Sequence, residues 1–425
     1  MATVAPASAV RAAPSVRPRL DSIDLLRGIV MVIMVIDHTR DFVHGPALRY
    51  DPTDLARTSL AVFMTRWITH FCAPVFVFLA GVSAYLLKMR GRTASELSAF
   101  LFTRGVWLLA VELFVLHVLI WFSVDFSFIG LMQVIWAIGW SMIVLAALVH
   151  LPVRAVAAFG VGMIALHNLL DGVRVAPWNF EGPAPSAVAK LWMVLHQPGF
   201  TPVFGPESPV VWLQYPLIPW IGVMAAGFAF GALYELEPAR RIRITRRLGL
   251  ALIAAFVLIR AVNVYGDPSR WSVQPTALFT ALSFINTTKY PPSLLYLLMT
   301  LGPALVALAW FDKRASRAGS ATAPMPGRSG PAAALITFGR VPFFFYLLQW
   351  VLAHTAAITA SAIAGKPFGY LFLTPPAIFN PPPGNGFHLW TVYLCWACII
   401  AIEYPLCRWF AGVKQRRRDW WLSYL

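Results

Sequence analysis

The chain has 425 residues, 59% of them hydrophobic and only 12% charged, with a mean hydropathy of +0.68. A soluble globular domain carries about 25% charged residues, so the composition excludes an ordinary soluble enzyme and points to a membrane. A net charge of +16 would suggest nucleic acid in a soluble protein. Here the basic residues fall between apolar runs and read as topology signals, so no nucleic-acid partner is expected.

Residues 1–19 are Ala, Pro, Ser, Val and Arg-rich, without an acid, and read as a disordered tail. The apolar run that follows ends in Asp37 and His38, where an export signal would carry small residues, so a cleaved signal is not expected. Ten segments approach the ~20 mostly apolar residues that a membrane helix needs. They are 25–43, 59–87, 98–123, 129–150, 154–171, 210–235, 248–265, 291–311, 333–364 and 389–411. The fold class is therefore all-α, a polytopic membrane helix bundle of about ten spans filling 20–411. A flexible linker is expected at 312–332 and a basic, aromatic tail at 412–425.

One set of connections carries Arg90 and Arg92, then Arg240, Arg241, Arg243, Arg246 and Arg247, then Lys414, Arg416 and Arg417; the opposite set holds scattered cations. The positive-inside rule puts both termini in the cytoplasm, and the even parity agrees with ten spans. The longer loops, 44–58, 172–209, 266–290 and 365–388, then lie outside, where a lid or an acceptor site is expected. Cys72, Cys395, Cys398 and Cys407 all fall in predicted spans, so no disulfide framework is indicated.

The first span contains the main chemical signal. Nine apolar residues, 28–36, run into Asp37, His38, Arg40 and Asp41. A charge at the bilayer centre costs about 2.5–3.5 kcal/mol on insertion scales, so such groups face protein or a wet cavity and mark a functional site by default. Arg27 and His38 are eleven residues apart, close to three turns, so they share a face roughly 16 Å apart. Asp37 and Asp41 are candidates to orient or charge the His38 imidazole. The second span carries Arg66, His70 and Pro74 on one stripe, and Pro74 should kink it and free the carbonyl of His70. Arg104 and Glu112 share a face of the third span. Further polar groups precede or open later spans: Asn286 and Lys289 before the eighth, and Arg340, Tyr346 and Gln349 in the ninth. The sequence contains no phosphate loop, no Gly-x-Ser-x-Gly elbow and no zinc motif, and no metal is expected.

Several blocks carry a resemblance. The stretch from Arg19 through Asp24, Arg27 and Gly28 to Asp37 and His38, the block His70 to Gly81, Tyr215 to Trp220, Asn286 to Tyr296, and Phe338 to Tyr346 together resemble the heparan-α-glucosaminide N-acetyltransferase-like membrane proteins, over about residues 19–410. The resemblance implies transfer of an acetyl or other short acyl group from cytoplasmic acetyl-CoA to an amine or hydroxyl of a sugar, envelope glycan or lipid on the far side. In lysosomal relatives an asparagine in the first span and a histidine soon after it serve the reaction. By register the asparagine position falls on His38, and His44 and His70 are the candidates for the histidine. Bacterial relatives often have Tyr-Leu-Leu-His where this chain has Tyr346 to Gln349.

The expected roles follow. His38, with Asp37 or Asp41, is the base, and Arg66 or His70 stabilises developing charge. Arg27, Arg104, Lys289, Asn286 and Arg340 are the candidates to hold acyl-CoA. The expected setting is a bacterial inner membrane, with lipid, acyl-CoA and an extracytoplasmic glycan as partners and a homodimer left open. The competing reading is a proton-coupled transporter using Asp37, His38, His70 and Glu112 as a relay. A third is a bundle that only binds or assembles.

Overall fold

Helix α1 (Asp21–Val43) runs through the middle of a helical bundle and touches more partners than a peripheral span would. The computed structural model describes residues 20–45, 49–180, 182–317, 330–375, 377–417 and 419–424. The expected disordered tail at 1–19 and most of the expected linker, 318–329, lie outside them.

After α1 the chain forms α2 (Leu60–Thr69) and α3 (Cys72–Met89), then α4 (Ala94–Ala110), which passes through a π-helical turn at Val111–Leu116 into α5 (His117–Trp121). A strand, β1 (Phe128–Met132), precedes α6 (Val134–Leu148) and α7 (Val153–Leu166). The following loop holds α8 (Ala187–Leu195), β2 (Gly199–Pro202) and β3 (Val210–Leu213). Then come α9 (Leu217–Gly231), α10 (Pro238–Val262), α11 (Ala277–Ile285), α12 (Leu294–Arg317), α13 (Pro331–Arg340), α14 (Pro342–Ile363) and α15 (Leu389–Arg416).

Each of the ten expected spans contains one of the long helical segments. Among the described residues seven are long and apolar enough to cross a membrane: Leu60–Met89, Ala94–Trp121, Val153–Leu170, Leu217–Glu235, Leu294–Arg317, Pro342–Ile363 and Leu389–Arg416. Helix α6 is apolar but shorter. Helices α1 and α10 carry more charge, and the charged groups of α1 are mostly turned inward: Asp24, Asp37 and Arg40 are all buried. The chain is a multi-pass membrane protein.

Hydrophobic attraction does not drive helices together in lipid, so close backbone packing must. Paired glycines supply it. A Cβ at Gly105 of α4 would stand 2.7 Å from the Gly139 carbonyl of α6, and one at Gly249 of α10 would stand 2.8 Å from the Gly302 carbonyl of α12. Gly160 of α7 meets Gly222 of α9 in the same way. Helix α1 presses Gly28 against Leu335 of α13, while Gly339 of α13 presses against Asp24.

Three features differ from the sequence expectation. The expected fourth and sixth spans begin as strands, and β1, β3 and β2 form one small sheet in that order, β1 parallel and β2 antiparallel to β3. A short apolar run fits a buried strand or a helix equally, and here each lies beyond the apolar length that its helix needs. The expected ninth span is two helices, because Pro342 restricts Val341 away from helical angles, to φ −129° and ψ 51°. The expected linker is helical through Arg317.

Candidate active site

Two chambers enter the bundle from opposite ends. The one away from the arginine-rich end, named outer for that reason alone, is about 630 Å³ and is lined by Asp37, His38, Arg40 and Asp41 of α1, Arg66 of α2, Lys289 and Tyr290, and Trp350 of α14. Leu131, Phe200 and Trp212, one from each strand of the sheet, also wall it. The inner one, about 440 Å³, opens at the arginine-rich end and is lined by Arg27, Arg90, Arg92, Arg104, Arg340 and Lys414, with Asp24 the acid among its lining residues. Phe76 and Val134 line both chambers.

His38 sits in the outer chamber. Its Nδ1 lies 2.8 Å from Gln349 Oε1, and its ring stacks on Trp350 with centroids 3.8 Å apart at 17°. Tyr346 meets the same ring edge-on at 6.3 Å. With Gln349 assigned as acceptor, Nδ1 carries the proton and Nε2 is left as the acceptor nitrogen. Of the three histidines singled out by sequence, only His38 lines a chamber. His70 is buried, packs on the Tyr296 ring at 5.3 Å and leaves Nδ1 without a partner within the protein. His44 lies just past α1, and burial together with the Arg40 charge depresses its pKa to about 4.

The expected Asp37–His38 contact does not form. Adjacent residues on a helix point about 100° apart and do not face each other. Asp37 turns instead to three cations. Arg40 Nη2 is 2.9 Å from its Oδ1, as an ion pair without an aligned hydrogen bond. Arg66 Nη1 donates to its Oδ2, and Lys289 Nζ lies 3.8 Å from the same oxygen. Asp41 also pairs with Arg40, at 2.7 Å, rather than with His38. A buried carboxylate ringed by cations is an electrostatic anchor, and removing it would leave those charges buried and uncompensated.

The stripe of Arg66, His70 and Pro74 is broken for a related reason. The helix stops at Thr69 and restarts at Cys72, so Arg66 faces the chamber while His70 does not. The freed carbonyl of His70 accepts the Tyr296 hydroxyl at 2.7 Å. Arg104 and Glu112 lie on the same inward stripe as the buried Leu101, Gly105, Leu108 and Val111, and a π-helical turn begins at Val111. Glu112 Oε1 accepts from the Gln133 N–H at 3.0 Å, at the start of α6, so this carboxyl caps a helix.

The residues expected to hold acyl-CoA divide in two. Arg27, Arg104 and Arg340 line the inner chamber. Arg27 is held by Asp24 at 3.2 Å and Ser83 at 3.0 Å, and Arg340 by Asp21 at 3.0 Å. Lys289 belongs to the outer chamber, and Asn286 lines neither, donating to the Thr53 carbonyl at 3.0 Å. Both lie on the loop before α12, whose place is fixed by Arg260. That side chain is 1% exposed and donates to the carbonyls of Phe284, Ser269, Ser283 and Asn286. Sequence reasoning missed the part played by Gln349 and Trp350, although Gln349 was visible as an amide within an apolar span.

Comparison with known proteins gives the identity of the chain. A model of the heparan-alpha-glucosaminide N-acetyltransferase catalytic family matches residues 19–269. None of the curated proteins matches the chain. The matched region supplies α1, α2, the sheet and half the inner chamber, while Lys289, Gln349, Trp350 and Arg340 come from beyond it. With well over half its length matched, the chain belongs to the heparan-alpha-glucosaminide N-acetyltransferase catalytic family.

Proposed function

We propose that this protein transfers an acetyl or other short acyl group from acyl-CoA on the cytoplasmic side to an amine or hydroxyl of a sugar, envelope glycan or lipid headgroup on the other side, in a bacterial inner membrane. One observation carries the reading: two chambers from opposite ends share the side chains of Phe76 and Val134, and His38 faces the outer of them. The positive-inside rule assigns the arginine-rich end to the cytoplasm.

The inner chamber suits a phosphorylated donor. Its lining places Arg27, Arg90, Arg92, Arg104, Arg340 and Lys414 around one aspartate, and guanidinium groups match phosphate oxygens two at a time. Phe343, Leu108 and Met142 line the same space and suit the uncharged arm. The donor supplies a thioester carbonyl at the divide. In the outer chamber His38 Nε2 takes the proton from the attacking amine or hydroxyl as the new C–N or C–O bond forms. Gln349 keeps the ring in the tautomer that allows this. Arg66 and Lys289, already gathered by Asp37, add positive potential where the carbonyl oxygen becomes negative. The C–S bond then breaks, and the departing sulfur takes the proton. Trp121, Trp212, Tyr215 and Tyr290 provide flat apolar faces on which a sugar ring can lie.

The test is direct. The purified protein, given labelled acetyl-CoA and a panel of amino sugars, should release thiol and label an acceptor. His38→Ala should slow that by about 10²–10⁴-fold, the usual contribution of a general base. Normal turnover by His38→Ala would remove the assigned centre, and proton-driven uptake without thiol release would favour a transporter.

A further inference from the structure

Arg104 reaches the inner chamber from α4, and the far end of the chain holds it from behind. Past α15 the backbone forms a short 3-10 turn at Trp420–Ser423, which buries Leu422 to 4% exposure. Tyr424 follows, and its ring centroid lies 5.9 Å from the Arg104 guanidinium carbon. The same ring meets Trp107 edge-on at 5.5 Å and Phe100 at 6.3 Å, and its hydroxyl is 3.0 Å from Thr103 Oγ1. Phe100 in turn carries the Arg92 guanidinium 4.4 Å from its centroid, and Trp107 packs on Phe343 at 5.0 Å. Phe100, Phe343, Arg92 and Arg104 all line the chamber, whereas Tyr424 does not. One aromatic cluster, completed by the tail, therefore backs two of the chamber's cations.

We propose that the C-terminal tail is a clamp on the donor chamber, in which Tyr424 acts as a positioning residue that holds Arg104 toward the anionic part of acyl-CoA. The inference rests on the donor assignment made above. An arginine gripping an anion loses rotamer freedom on binding, and a ring within cation–π reach of its guanidinium removes some of that freedom beforehand. Tyr424 is not among the chamber's lining residues, so it acts through Arg104 and not by touching the donor. The effect belongs in donor affinity and not in the chemical step. Lys414, on the last turn of α15, lines the same chamber, so the clamp continues from the helix into the tail.

The experiment uses the full-length protein in lipid nanodiscs, with thiol release from acetyl-CoA as the kinetic readout and calorimetric binding of coenzyme A as the second. Tyr424→Ala should raise the donor KM and the coenzyme A Kd about three- to tenfold, with kcat within about twofold and an unchanged Tm. Tyr424→Phe, which keeps the ring, should restore both constants. Arg104→Ala should weaken donor binding, and adding Tyr424→Ala should weaken it little further, because coupled residues are not additive. Unchanged constants in Tyr424→Ala, additive losses in the double variant, or tighter binding once the tail is detached would each overturn the clamp while leaving the acyltransferase reading intact. A wild-type protein that neither binds coenzyme A nor releases thiol would overturn both.

Discussion

His38 of α1 and Gln349 of α14 are joined by a 2.8 Å contact between Nδ1 and Oε1. Among the described residues it is the one hydrogen-bonding side chain the imidazole meets, and it comes from beyond the part of the chain that the family model matches. Gln349 is fully buried, and its Nε2 makes no bond among the described residues. The amide is committed to the histidine by geometry and not by a wider network. Gln349→Leu should therefore keep the fold and lose the orientation of the ring. The expected outcome is a fall in kcat of about tenfold, the equivalent of one hydrogen bond of about 1.4 kcal/mol, with the donor KM unchanged. Steady-state thiol release checks it, and an equal loss in kcat and donor affinity would mean that Gln349 serves packing instead.

Asp37 is predicted to matter most for stability. It gathers Arg40, Arg66 and Lys289 from three separate elements. Asp37→Ala strands these cations in a partly desolvated place, which costs about 3–5 kcal/mol when a buried pair is broken from one side. Thermal unfolding in detergent should show a markedly lowered Tm. Asp37→Ala combined with Arg66→Met should recover part of the loss, since fewer unpaired charges remain.

Arg260 is a structural clasp rather than a site residue. Its four carbonyl partners span Ser269 to Asn286. Arg260→Met leaves these oxygens to find water or stay unpaired, at about 1–3 kcal/mol for a group that stays buried. The loop 266–290 should then exchange its amide hydrogens faster and be cut sooner by protease. Because that loop leads into Lys289, acceptor affinity should fall with it. Protection equal to wild type across 266–290 would show that the clasp is dispensable.

A pH response is expected at the outer rim. Asp171 accepts from His196 Nε2 at 3.0 Å and from Asn168 Nδ2 at 2.8 Å. Burial raises its pKa, but these two hydrogen bonds outweigh that, and the carboxyl sits below the usual aspartate value. A depressed folded pKa means that the stabilisation is present above the unfolded value, about 3.9, and is lost as pH falls through the folded one. Segment 172–198 should stay protected near neutral pH and open on acidification below about pH 4. Asp171→Asn should show the open pattern near neutral pH. Hydrogen exchange across a pH series reads both.

Much of the bundle was legible in the sequence because hydropathy and the arginine pattern are local signals. The kink at Pro74 was legible too, since the missing N–H is a property of one residue. The sheet was not: Phe128–Met132 and Val210–Leu213 are apolar runs beside apolar helices, and nothing in their period separates the two states. Asp37 and His38 were read as partners because they are neighbours in sequence, yet helical geometry sends neighbours to different sides. Their true partners, Gln349, Arg66 and Lys289, lie tens to hundreds of residues away, and only the folded arrangement reveals such pairings. The inner chamber was half visible. Arg27, Arg104 and Arg340 were marked as cations near one end, but the ring supporting Arg104 comes from Tyr424, a contact that no spacing rule encodes.

The place where the two chambers share Phe76 and Val134 has a consequence for the proposed reaction. If the proposed acyl transfer is right, the protein must pass a small group without conducting ions, and the residues common to both chambers, Phe76 and Val134, are apolar. On the proposed reading the nucleotide stays in the arginine-lined chamber and only the acyl end reaches the divide. Under that reading the wide rocking motion of a transporter is not required, because the two spaces already meet at the shared side chains of Phe76 and Val134.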